Sequence, residues 1–68
     1  RFGPKEEFFY WYAQVYARCG QVSNALEYLK KSINEGNKNF TWFQRDPALE
    51  NIKNLAVFKQ LIIDNQNP

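Results

Sequence analysis

The sequence has no histidine, no methionine and a single cysteine, with three glycines and three prolines in 68 residues. Each scarcity closes something off. Without histidine, general acid–base work would fall to seven carboxylates, Glu6, Glu7, Glu27, Glu35, Asp46, Glu50 and Asp64, and the spacing puts all but Asp46 on polar helix faces or ends, with Asp46 as a cap. A lone Cys19 makes no internal disulfide, and Cys19 without histidine builds no ordinary structural zinc site. No neighbouring base activates its thiol, so it reads as a small buried residue at a helix end. There is no glycine-rich phosphate loop and no metal-ligand spacing. No catalysis and no cofactor are expected. No apolar run approaches the ~20 residues of a membrane span, and the N-terminus lacks a basic-then-apolar signal layout. Neither sign of charge dominates: nine basic and seven acidic residues interleave to a net +2, too little for a nucleic-acid footprint. Arg45, Lys38, Lys53 and Lys59 near Trp42, Phe43 and Phe58 match a stacking site for single strands, but those aromatics are more simply core. The absent initiator methionine and the abrupt start at Arg1 predict a fragment or a chain with a preceding part. The cytoplasm is the expected compartment, which one cysteine fits without establishing.

What is present is globular: 44% apolar and 24% charged, in a length that allows one small domain. Such a core seldom supplies more than about 3–5 kcal/mol, so support must come from dense packing, self-association or more chain. Glycine and proline divide the sequence into three parts. Gly3-Pro4 opens a first helix over 5–19, with Glu6 and Glu7 at its start, Arg18 in its last turn and Gly20 as its left-handed stop. A second helix runs from Ser23 as N-cap to Glu35, with Gly36 as stop. Its apolar residues Val22, Ala25, Leu26, Leu29 and Ile33 form one stripe, with Lys30, Lys31, Asn34 and Glu35 opposite. The two make an antiparallel hairpin. After a polar loop at 37–39, Asn39 caps a short helix carrying Phe40, Trp42 and Phe43. Asp46-Pro47 starts a single helical turn to Ile52, and Asn54 caps a last helix with Leu55, Phe58, Leu61 and Ile62 on one face. Residues 64–68 read as a fraying tail. The fold class is all-α.

The hairpin resembles the tetratricopeptide repeat, a 34-residue helix–turn–helix with the pattern W-x2-L-G-x2-Y…A-x3-F…P. Here the pattern is Phe9-x2-Tyr12-Ala13-x2-Tyr16, Gly20 at the turn, then Ala25-x3-Leu29. Large residues at 9, 12 and 16 pack across the pair, while Ala13 and Ala25 let the backbones approach. Asn37 stands in place of the terminal proline, and Ser32 where a second alanine is usual. The tail is similar to the closing segment of bacterial repeat proteins, through Asp46-Pro47, Leu49, Ile52 and Phe58-x2-Leu61, with Leu55-Ala56 where a second Asp-Pro is customary. Together the resemblances cover about 6–63: a repeat over 5–36 and a capping segment over 37–63.

The resemblance implies protein–protein interaction at the end of a helical array, with a peptide or protein partner in a groove. The matching groove positions are Glu7, Tyr10, Gln14, Ala17 and Arg18. Tyr10, Gln14 and Arg18 share a face that offers stacking, an amide and a guanidinium for a carboxylate. The lysine-and-asparagine carboxylate clamp is absent, which disfavours chaperone tails. Five consecutive aromatics, Phe8 to Tyr12, sweep round the first helix at ~100° per residue. Phe9 and Tyr12 belong to the hairpin; Phe8, Trp11 and Val15 form a second apolar stripe. A helix apolar all round is buried all round. That stripe is expected to meet a preceding repeat or, alternatively, a second copy of the chain as a homodimer joint.

Overall fold

The computed structural model describes residues 5–66; the expected opening at Gly3-Pro4 and the last two tail positions lie outside them. Among the described residues every regular element is helical, as the periodicity predicts. Helix α1 spans Lys5–Arg18, α2 Val22–Asn34, α3 Phe40–Arg45 and α4 Ala56–Gln66, with a 3-10 turn at Pro47–Leu49 between α3 and α4. The molecule is 18 Å thick in its shortest dimension, about two helix diameters. A helix in such a slab has one side against its neighbour layer and another side outward.

The hairpin forms for the reasons its sequence supplies. Ala13, Ala17, Ala25, Leu29 and Ile33 are fully buried where α1 and α2 meet, and the small side chains at 13, 17 and 25 let the axes close. Both helices stop in the same way. Gly20 and Gly36 take positive φ, +78° and +115°, a conformation cheap only for glycine. The Gly20 N–H donates to Ala17 O (3.1 Å) and the Gln21 N–H to Tyr16 O (2.9 Å). The Gly36 N–H donates to Ile33 O (3.0 Å) and the Asn37 N–H to Ser32 O (3.0 Å). Each pair is the double bond of a Schellman ending, which satisfies carbonyls the helix leaves open.

Helix starts follow the sequence less closely. Helix α2 begins at Val22, with Gln21 at the N-cap position, and Ser23 lies exposed inside the first turn. The Schellman ending of α1 has already turned Gln21 into place, and its Oε1 accepts from Asn24 Nδ2 (2.7 Å) rather than from the backbone. Asn39 does stand before α3, but its side chain makes no capping bond. Asn54 does not cap α4: the turn continues through it, and Lys59 N–H reaches back to Leu55 O (3.1 Å). The residues read as a polar tail from Asp64 begin within a helix. Helix α4 carries on to Gln66, held by Gln60 Nε2 to Asp64 Oδ1 (2.7 Å) and Asn65 Nδ2 to Leu61 O (2.8 Å).

The departures from the repeat pattern acquire a role in this packing. Ser32 is fully buried; its hydroxyl donates to the Glu6 carbonyl (2.5 Å) and accepts from Asn37 Nδ2 (3.1 Å). Ser32 and Asn37, which stand where the repeat pattern has alanine and proline, thus tie the end of α2 to the start of α1. The tail completes the core with Phe40, Phe43, Leu49, Ile52, Phe58 and Ile62. Phe40 and Phe43 pack edge to face at 5.6 Å. Trp42, between them, is 43% exposed with its side chain beside the Tyr10 hydroxyl, so it is not in the core expected for it together with Phe43 and Phe58. A six-residue helix has only one inward side, and positions 40 and 43 occupy it.

Candidate interaction surface

Two neighbouring sides of α1 hold the residues singled out from the sequence, and they have different fates. On one side, of the row Glu7, Tyr10, Gln14 and Arg18, the middle pair Tyr10 and Gln14 meets the tail. The Tyr10 hydroxyl donates to Asp46 Oδ2, and Gln14 Nε2 donates to the same oxygen (2.6 Å). Asp46 Oδ1 accepts from the Ala48 N–H (2.9 Å), the cap bond of the 3-10 turn. The Tyr10 ring stacks on Phe43 at 5.2 Å, and Asn51 Nδ2 donates to Ala17 O (3.1 Å) at the end of α1. The segment from α3 through the 3-10 turn therefore lies on α1, latched through one carboxylate.

Asp46 is almost fully buried, 3% exposed. Burial by itself pushes its carboxyl up. The bonds from Tyr10, the Ala48 N–H and Gln14, with the Arg18 charge nearby, outweigh that and hold it below the usual carboxylate value. Tyr10 moves the opposite way. Burial, the bond it donates to Asp46 and the carboxylate's charge keep its phenol protonated far above the ordinary tyrosine range, against smaller opposing contributions from Trp42 and Gln14. Asp46 is thus a buried carboxylate with three hydrogen-bond donors, and the arrangement fastens the tail to α1.

The expected groove thus differs in the structure. Tyr10 and Gln14 are half-buried against Asp46, and Ala17 is in the core rather than on a groove wall. Ala17 is inward because α2 and the 3-10 turn both close on that side of α1. Glu7 and Arg18 are exposed.

The other side carries the second apolar stripe. Trp11 is 56% exposed and Val15 39%, and at ~100° per residue they lie opposite the buried Ala13 and Ala17. Phe8 is half-buried beside them. A shallow depression lined by Trp11, Gln14, Val15 and Arg18 opens there. Toward α2 the aromatics continue. Phe9, Tyr12 and Tyr16 meet the Tyr28 ring at 6.1, 5.2 and 5.5 Å, and Lys31 Nζ stands 4.7 Å from the centre of that ring. Tyr12 is still 41% exposed and lies 5.3 Å from Trp11. Tyr28 was not singled out by the sequence reading; its signal is a large aromatic one residue before the buried stripe position Leu29.

Cys19 is exposed just past the end of α1, not buried as its position predicts, because its N–H still bonds to Val15 O (3.0 Å) and it continues the outward side of the helix that carries exposed Val15. Among the described residues no three histidine, cysteine, aspartate or glutamate side chains cluster, and no helix is long and apolar enough to cross a membrane. No protein-family model, curated protein or solved structure matches this chain.

Proposed function

We propose that the chain is a non-catalytic protein–protein interaction module, the closing end of a stack of tetratricopeptide-like hairpins, which receives its partner on the outward side of α1. One observation carries the reading. Trp11, 56% exposed, and Val15, 39% exposed, stand together on the side of α1 turned away from the core, and contiguous exposed aromatic and aliphatic surface is what interaction sites present. The tail supports the closing role: it lies on the neighbouring side of α1 through Asp46, so that side is filled by the chain itself. Of the groove residues expected from the family resemblance, Tyr10 and Gln14 serve the latch, while Glu7 and Arg18 border the outward surface.

A photoreactive benzophenone amino acid at position 11, compared with the same group at exposed Lys30, tests the reading in the source cells. A covalent protein adduct formed from position 11 and not from position 30 is the expected result. Absence of an adduct at position 11, or equal labelling from both, contradicts it.

A further inference from the structure

The outward face of α1 has a shape and a charge order that fit itself. The depression on it is lined by Trp11, Gln14, Val15 and Arg18, residues spaced i, i+3, i+4 and i+7. Four residues at that spacing are the hole that receives one side chain of a facing helix in knobs-into-holes packing. The most exposed large side chain on the same face is Trp11, which is the knob such a hole lacks.

We propose that two copies of this chain pair through α1, antiparallel about a two-fold axis, with Trp11 of each seated in the depression of the other. This rests on the reading of the outward face as an interaction surface and names its occupant as a second copy. The hole is centred between Gln14 and Val15. Seating Trp11 of the second copy there fixes the register, and the reciprocal contact follows by symmetry, as a closed two-fold interface requires. Four residues toward the N-terminus from Trp11 lies Glu7; in the antiparallel register it arrives beside Arg18 of the second copy. Glu7 and Arg18 are both exposed, and neither takes part in an ion pair within the described chain. The knob-and-hole fit thus brings opposite charges together at both ends of the seam. A parallel pair does the reverse: it sets Glu7 on Glu7 and Arg18 on Arg18, and Trp11 cannot enter both holes at once. Antiparallel helices also align their dipoles favourably. The seam is short, about 21 Å for a 14-residue helix, so the dimer belongs to the weak class of interfaces.

Sedimentation equilibrium from roughly 5 µM to 1 mM, the span of weak association, tests it on the whole chain. The wild type is expected to move from monomer to dimer, and Trp11→Asp to stay monomeric while keeping its helical circular dichroism. Glu7→Arg and Arg18→Glu are each expected to weaken pairing roughly five- to tenfold, and the double variant Glu7→Arg/Arg18→Glu to restore it. The swap identifies the register even if Trp11→Asp fails to fold. A wild type monomeric at 1 mM overturns the proposal, and so does a dimer indifferent to the charge swap. A position-11 crosslink to a different protein alongside a monomeric wild type sinks self-pairing alone, whereas no crosslink at all sinks the interaction reading with it.

Discussion

Asp46 joins the two halves of the chain. Its Oδ1 holds the 3-10 turn and its Oδ2 holds α1 through Tyr10 and Gln14. Removing one donor from a buried charged acceptor costs more than a surface bond, so Tyr10→Phe is expected to lower stability by about 1–2 kcal/mol and Asp46→Asn by about 1–3 kcal/mol. A double-mutant cycle in urea checks that the two losses are coupled. The pH dependence follows from the directions of the shifts. The Asp46 carboxyl is held below its ordinary value in the folded chain, so on acidification the unfolded chain takes up its proton first. Its stabilising contribution is present above about pH 4 and is lost as the pH falls through the folded-state value. The acid limb of a stability–pH curve should flatten in Asp46→Asn. Tyr10 is raised, so its contribution is full below about pH 10 and declines above it, as the unfolded phenol ionises first; Tyr10→Phe should lose that alkaline decline. The Asp46-Pro47 dipeptide announced the cap. Nothing local announced the second oxygen's role, because its donors lie 32 and 36 residues away and a free tyrosine and glutamine at four-residue spacing look the same as an engaged pair.

At the scale of elements, the ends of α1 and α2 were legible and several beginnings were not. Gly20 and Gly36 mark stops because only glycine enters the left-handed region cheaply, a property of one residue. A Cβ at Gly36 meets nothing within 4 Å, so the cost of Gly36→Ala is purely conformational, about 1–2 kcal/mol, read as a lower thermal midpoint with unchanged helicity. Starts depend on what precedes them: Ser23 and Asn54 have capping chemistry, yet the turns that deliver the chain place Gln21 and Leu55 at those positions. Ser32→Ala introduces the residue that the repeat pattern carries at this place. Here it removes the tie from α2 to the Glu6 carbonyl and should cost about 1 kcal/mol, measurable as a lower urea midpoint at constant slope. If it stabilises instead, the tie does not hold the hairpin.

The whole molecule divides its aromatics between two tasks. Phe43 and Phe58 are buried in the core; Phe43→Ala should cost about 3–5 kcal/mol, comparable with everything a chain of this size has to lose, and leave it largely unfolded. Trp11, with a larger ring, faces outward. Composition alone does not separate these cases, and the periodicity of α1 did so only partly: it showed that the helix is apolar all round, while which side the tail would cover depended on Asp46 reaching Tyr10 and Gln14. Trp11 and Val15 lie outside the buried core, so the fold is expected to stand without them. Thermal unfolding of Trp11→Gln/Val15→Ser beside the wild type, at a dilution where both are monomeric, checks this. The account predicts equal helicity and midpoints within about 4 °C, under 1 kcal/mol for a domain of this length. A fall of more than about 10 °C, or lost helicity, would show that Trp11 and Val15 hold the fold together and would contradict it.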